Sequence, residues 1–181
     1  MDPERARGAG HRPVSGARAR RPSKADHDRA VRFIAANRFP FPGQPDWLPD
    51  NVTLTNETRP TRGIPTPDGV HYPDIVVLSG AGAIREVAEV ETEVTADHGR
   101  IWRLGSLASD TKTKTGVRHF FVYVPVGREA EALRVLDGHR ISYAGLRTWE
   151  VAADGAIRVV PIRTTGDPKD HVESRGTLDP A

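Results

Sequence analysis

The sequence contains no cysteine and no long hydrophobic run. The lack of cysteine excludes disulfides, thiol nucleophiles and thiolate metal sites. Its longest apolar runs span only a few residues, whereas a membrane-spanning helix needs about 20. The first residues are rich in Arg, Gly and Pro and lack the hydrophobic stretch of a secretory signal. We therefore expect a cytoplasmic protein that has no membrane partner.

Lysine is also scarce, and positive charge is concentrated near the start of the chain. Residues 1–24 carry six Arg and one Lys against two acids, hence +5, which leaves −3 for the rest of a chain of net charge +2. Because Gly and Pro interrupt this segment, it predicts a disordered basic tail over residues 1–22. The pattern is equally consistent with contact to DNA phosphates, with a solubilising extension and with a misassigned start.

The remaining chain predicts a single domain over residues 23–163, followed by a flexible C-terminal tail over residues 164–181. Apolar periodicity and turn residues predict alternating helices and strands. This order is typical of an α/β fold with a mixed central sheet flanked by helices. The expected elements are a helix over 23–37, a weak strand over 52–55, a hairpin over 74–94, a helix over 96–108, a buried strand over 120–124, a helix over 128–137 and a strand pair over 146–160.

Acidic residues gather on the expected hairpin. Asp74 directly precedes the apolar run Ile75–Leu78, and Glu89 and Glu91 alternate with apolar residues on the second strand. Carboxylates are poor strand formers, and an aspartate beside a buried run is costly unless it is paired or binds a metal. We therefore expect Asp74 and Glu89 to bind a cation. The alternative is a solvent-facing acidic strand on an ordinary scaffold.

The parity of the hairpin loop tests this hypothesis. A loop with an even number of residues places Asp74 opposite Glu89, with both side chains on one face of the sheet. An odd loop centred on Ala81 places Asp74 opposite Ala88 and turns it away from both glutamates. The metal hypothesis therefore requires an even register, or a β-bulge that restores it.

These residues resemble the half-motifs of the PD-(D/E)xK nuclease superfamily. Pro73-Asp74 is similar to the first half-motif and Glu89-Val90-Glu91 to the second, with fourteen residues between Asp74 and Glu89. The following elements, including Trp102 and the strand Phe120–Pro125, resemble small prokaryotic members of that superfamily. The resemblance covers about residues 24–151. It implies a restriction-endonuclease-like αβββαβ core and a Mg²⁺-dependent nuclease that hydrolyses phosphodiester bonds in DNA.

The resemblance also implies the site. Asp74, Glu89 and Glu91 are the expected catalytic residues, and the expected ligands of Mg²⁺, or alternatively Mn²⁺, are these three carboxylates and the backbone carbonyl of Val90. Glu91 stands where the superfamily has lysine, so it can act as a base or ligand but supplies no positive charge. The accessory candidates are Lys112 and Lys114 as substitutes for that lysine, Asp28 as an additional acidic ligand, and His71 and His98 beside the carboxylates.

The missing lysine leaves a second function open. A catalytically inactive member of the same fold would bind nucleic acid or a protein partner instead of cleaving DNA. Many nucleases of this fold act as dimers, so a homodimer is a further expectation from the resemblance. Trp102 and Trp149 lie among apolar positions, which favours a place in the core over a role in stacking on bases.

Overall fold

Helix α1 (Lys24–Arg38) begins where the sequence predicts, because Ser23 and Asp26 form a capping box. The Ser23 hydroxyl accepts the Asp26 N–H at 3.1 Å, and Asp26 Oδ2 accepts the Ser23 N–H at 2.9 Å. This geometry comes from a computed structural model that describes residues 21–110 and 115–177. Residues 1–20 of the expected basic tail therefore lie outside the described part.

Seven strands form one mixed sheet in the order β1-β4-β5-β6-β7-β8-β9, and β2 and β3 form a separate hairpin. Strands β5, β6 and β7 are parallel to one another, while the other neighbours are antiparallel. The strands are β1 (Val52–Thr55), β2 (Ile64–Thr66), β3 (Gly69–His71), β4 (Ile75–Leu78), β5 (Ile84–Val90), β6 (Phe120–Pro125), β7 (Gly145–Val151), β8 (Ile157–Thr164) and β9 (Ser174–Gly176).

Helices cover both faces of the sheet, and each face has its own apolar core. Helix α1 packs on one face with Trp149, while α2 (His98–Ala108) and α3 (Glu129–Gly138) pack on the other with Trp102. Both indoles are fully buried, which confirms their expected place in the core. The α/β class with a mixed sheet flanked by helices is therefore confirmed.

The segment after β8 packs onto the domain. A 3₁₀ turn (Pro168–Asp170) buries the Asp170 carboxylate between the guanidinium groups of Arg38 and Arg147, and β9 pairs with β8. Buried arginines need such a counter-charge. The polar sequence from residue 164 onward predicts a flexible tail outside the domain, whereas Asp170 is 3% exposed and contributes to the packing.

The described helices are short relative to a bilayer. Within residues 21–110 and 115–177, no helix combines the length and apolar character that crossing a membrane requires.

Candidate functional site

A β-bulge brings Asp74 into register with Glu89. The tip of the hairpin is odd, since Leu78 pairs with Ile84 and the Ser79 N–H donates to the Ala83 carbonyl at 2.9 Å. The register then shifts at the bulge, so that Ile75 pairs with Ala88. One step further along, Asp74 lies opposite Glu89. The hairpin therefore has the odd loop, which by itself would turn Asp74 away from Glu89, and the bulge restores the register that aligns them.

Asp74 is fixed by the backbone of the neighbouring strand. Its Oδ2 accepts the Val90 N–H at 2.8 Å, and its Oδ1 lies 3.3 Å from His27 Nε2. The carbonyl of Asp74 also accepts the Asn56 N–H at 3.0 Å. The backbone of Val90 thus helps to build the site through its N–H group, while the ligand role of its carbonyl stays a prediction.

Glu89 is almost completely enclosed. It is 4% exposed, and its Oε1 lies 2.7 Å from His71 Nε2. Burial, followed by the negative charges of Asp74 and Glu91, raises the pKa of Glu89 well above its usual range. The alternative of a solvent-facing acidic strand is therefore wrong for Glu89, and His71 lies beside this carboxylate.

Glu91 follows the last residue of β5 and is held by ring nitrogens. Its Oε1 accepts the Trp102 Nε1–H at 2.8 Å, and its Oε2 lies 2.9 Å from His98 Nε2. The hydrogen bond to Glu91 is the main reason that the pKa of His98 is raised. The Glu91 carbonyl accepts the Trp149 Nε1–H at 2.9 Å. Both buried tryptophans therefore help to position this residue.

His27 on α1 belongs to the site although the sequence analysis did not single it out. Its Nδ1 lies 3.0 Å from Asp28 Oδ1, and its Nε2 faces Asp74. Burial opposes a charged imidazole, but the hydrogen bonds and charges of Asp74 and Asp28 outweigh it and raise the pKa of His27 to about 9. The sequence feature that could have identified His27 is helical spacing, because Lys24, His27 and Asp28 share one face of α1.

An open cleft of about 490 Å³ lies beside His27 and Asp74. Asp28 and Asp74 both line it, and Lys24 Nζ pairs with Asp28 Oδ2 at 2.7 Å. The full set of lining residues is Arg21, Pro22, Lys24, His27, Asp28, Asn56, Glu57, Asp74 and Thr92. The expected accessory residue Asp28 thus shares a cleft with Asp74, whereas Glu89 and Glu91 do not line it.

The chemistry of the cluster suits a hard cation. Carboxylate oxygens are the ligands that Mg²⁺ prefers. Burial is the main reason that the pKa of Glu89 is raised, and the negative charges of Asp74 and Glu91, which a cation would balance, add to it. Among the described residues, however, no group of three or more Asp, Glu or His donors is gathered around one point. Asp74, Glu89 and Glu91 each face a histidine instead. Metal binding therefore requires the contacts between these carboxylates and the histidines to break.

The two expected substitutes for the motif lysine, Lys112 and Lys114, lie outside the described residues. Comparisons with models of known protein families, with curated proteins and with solved structures find no match to this chain.

Proposed function

We propose that this protein is a Mg²⁺-dependent nuclease that hydrolyses phosphodiester bonds in DNA. The observation that carries the proposal is the bulge that places Asp74 opposite the buried Glu89. Further support comes from the element order α1, β1, β4, β5, α2, β6, which corresponds to the αβββαβ order of the PD-(D/E)xK superfamily. The hairpin β2–β3 is an insertion between β1 and β4 in this scheme.

Asp74, Glu89 and Glu91 would hold the Mg²⁺ or Mn²⁺ ion, together with the Val90 carbonyl. When bound, such an ion lowers the pKa of a water nucleophile and neutralises charge on phosphate oxygens. Within the chain, His71 orients Glu89, and the Val90 N–H fixes Asp74. Positioning of this kind is a large part of phosphoryl-transfer catalysis.

The role of Glu91 differs from that of the lysine it replaces. Both of its carboxylate oxygens already face donors on His98 and Trp102, which favours a ligand or orienting role over that of a base. In this proposal the basic side chains come from α1 instead, because His27 and Lys24 line the same cleft as Asp74. These cations would contact the phosphate oxygens of the substrate.

Cleavage of single-stranded, double-stranded and branched DNA in Mg²⁺ or Mn²⁺ tests the proposal. We expect Asp74→Ala to lower the rate by about 100-fold or more. Asp154→Ala is the matched control, since Asp154 is exposed and pairs with Arg175 away from the cluster, and it should cleave like the wild type. If wild-type protein cleaves none of these substrates, or if Asp74→Ala keeps full activity, the nuclease proposal fails.

A second candidate function is a catalytically inactive fold that binds nucleic acid or a protein partner. It is favoured by Glu91 at the lysine position and by the histidines that occupy the carboxylates. The two candidates differ in metal dependence. Binding of DNA that is unchanged by Mg²⁺ and by Asp74→Ala, with no cleavage, would favour the inactive form.

A further inference from the structure

The β2–β3 hairpin presents an exposed apolar face next to the carboxylate cluster. Ile64 pairs with His71, and this pair points inward, because Ile64 is buried and His71 contacts Glu89. Residues on the opposite face point to solvent, where Val70 is 54% exposed and Tyr72 is 43% exposed. We call Val70 and Tyr72 the outer hairpin face.

The outer hairpin face rests directly on the backbone of the opposite strand. A Cβ atom at Gly63 would lie 2.2 Å from Val70 Cγ1 and 2.9 Å from Tyr72 Cε1. The absence of a side chain at Gly63 therefore lets both side chains lie flat on the hairpin. An exposed ring that is already supported loses little conformational freedom when it binds a partner.

Asn56 connects this surface to Asp74 and to a neighbouring loop. Its Oδ1 accepts the N–H groups of Thr61 at 2.6 Å and Arg62 at 3.1 Å. Its Nδ2 donates to the Pro73 carbonyl at 2.5 Å, and its own N–H donates to the Asp74 carbonyl. One side chain thus holds the loop before β2 against the chain that leads from the hairpin into the site.

This segment also carries uncompensated positive charge. The two acids of residues 56–72, Glu57 and Asp68, pair with arginines of α1 and α2 at 3.7 and 3.0 Å. Arg59 and Arg62 are both exposed, and they lie in the loop that Asn56 holds against Pro73. Arg62 Nη2 also donates to the Gly82 carbonyl at 3.4 Å. An exposed aromatic ring with arginines in a neighbouring loop is typical of surfaces that bind single-stranded nucleic acid.

We propose that Tyr72, Arg59 and Arg62 form a binding surface for single-stranded DNA. A base stacks on the Tyr72 ring, and the arginines contact the phosphates on either side. A duplex keeps its bases paired and cannot offer them to the ring. Since Tyr72 lies two residues before Asp74 in the chain, a strand bound here passes close to the carboxylates. This inference rests on the proposed function, because it names the form of DNA that reaches the site.

Fluorescence anisotropy with a labelled oligothymidylate of about 20 nucleotides tests the surface in EDTA, where cleavage cannot interfere. The wild type should bind the oligothymidylate more tightly than a blunt duplex of the same length. We expect Tyr72→Ala to weaken binding about tenfold and Tyr72→Phe to retain it, because phenylalanine keeps the stacking face. The Arg59→Ala/Arg62→Ala variant should weaken binding and reduce its salt dependence.

The matched control is Arg158→Ala/Arg175→Ala, which removes two exposed arginines on β8 and β9 and should bind like the wild type. Residues 1–20 are present in every variant, so any contribution they make to DNA binding is the same in each. The proposal is overturned if the duplex binds as tightly as the single strand, or if Tyr72→Ala only disrupts self-association and leaves DNA binding unchanged. Because binding is measured in EDTA, without metal and without cleavage, a failure of the nuclease proposal would not alter this result.

Discussion

Strand β5 carries two buried glutamates, Glu86 and Glu89, that lie three residues apart on opposite faces of the sheet. Glu86 is 1% exposed on the α1 face, and Glu89 is 4% exposed near α2. Burial raises the pKa of both carboxyl groups. Burial alone therefore does not distinguish a functional carboxylate from a structural one.

The neighbours of the two glutamates differ. Glu86 accepts a hydrogen bond from the Gln44 side chain at 2.7 Å and lies 3.8 Å from His119 Nδ1. Burial raises the pKa of Glu86 to about 7, and the hydrogen bond from Gln44 limits the rise. Glu89 lies near two further carboxylates, Asp74 before the neighbouring strand β4 and Glu91 just after its own strand, whereas Glu86 lies near one, Asp46. Glu89, a residue of the proposed cation site, therefore differs from Glu86 in having two acidic neighbours rather than one.

The largest expected effect on stability concerns Glu86→Gln. Because the pKa of Glu86 rises from 4.5 to about 7 on folding, its stabilising contribution is complete below about pH 4.5 and is lost as the pH rises through 7. The free energy of unfolding of the wild type therefore falls by about 3 kcal/mol over this range. The glutamine side chain of the variant does not titrate. We therefore expect the variant to gain about 3 kcal/mol relative to wild type between about pH 4 and pH 9, measured by urea unfolding. A constant difference across this range would contradict the assignment.

A smaller effect is expected from Gln44→Ala. This variant removes the donor to Glu86 Oε1, which is a neutral hydrogen bond at low pH and a charge-assisted one at high pH. The free energy of unfolding should fall by about 1 kcal/mol at acidic pH and by roughly twice as much at alkaline pH. In the Glu86→Gln background the cost should no longer depend on pH. A cost that still rises with pH in that background would show that another group is responsible.

Much of the fold follows from local patterns in the sequence. The capping residues Ser23 and Asp26 predicted where α1 begins, and the apolar run of β6 predicted a strand that is buried on both faces. The polar residues after 164 predicted a flexible tail. Asp170 is nevertheless buried, because it pairs with Arg38 and Arg147, which are distant in sequence. Long-range pairing of charges leaves no local pattern.

The site was predictable only in part, for a related reason. The alternation of β5 indicated the glutamates, but the bulge that aligns Asp74 with Glu89 cannot be predicted from the glycine turn alone. His27 was missed because it lies on a helix 47 residues before Asp74 and meets it only through tertiary packing. The helical spacing of Lys24, His27 and Asp28 does indicate that these three polar side chains share one face of α1.

The most direct test of the proposed cation site is calorimetric titration of the two glutamine variants with Mg²⁺ at about pH 8. Wild type and Glu86→Gln should bind the ion with dissociation constants that agree within about threefold, whereas Glu89→Gln should bind at least about tenfold more weakly. Circular dichroism before each titration verifies that the variants are folded. Equal binding by wild type and Glu89→Gln, or no binding by the wild type, would contradict the assignment of Asp74 and Glu89 to a metal site.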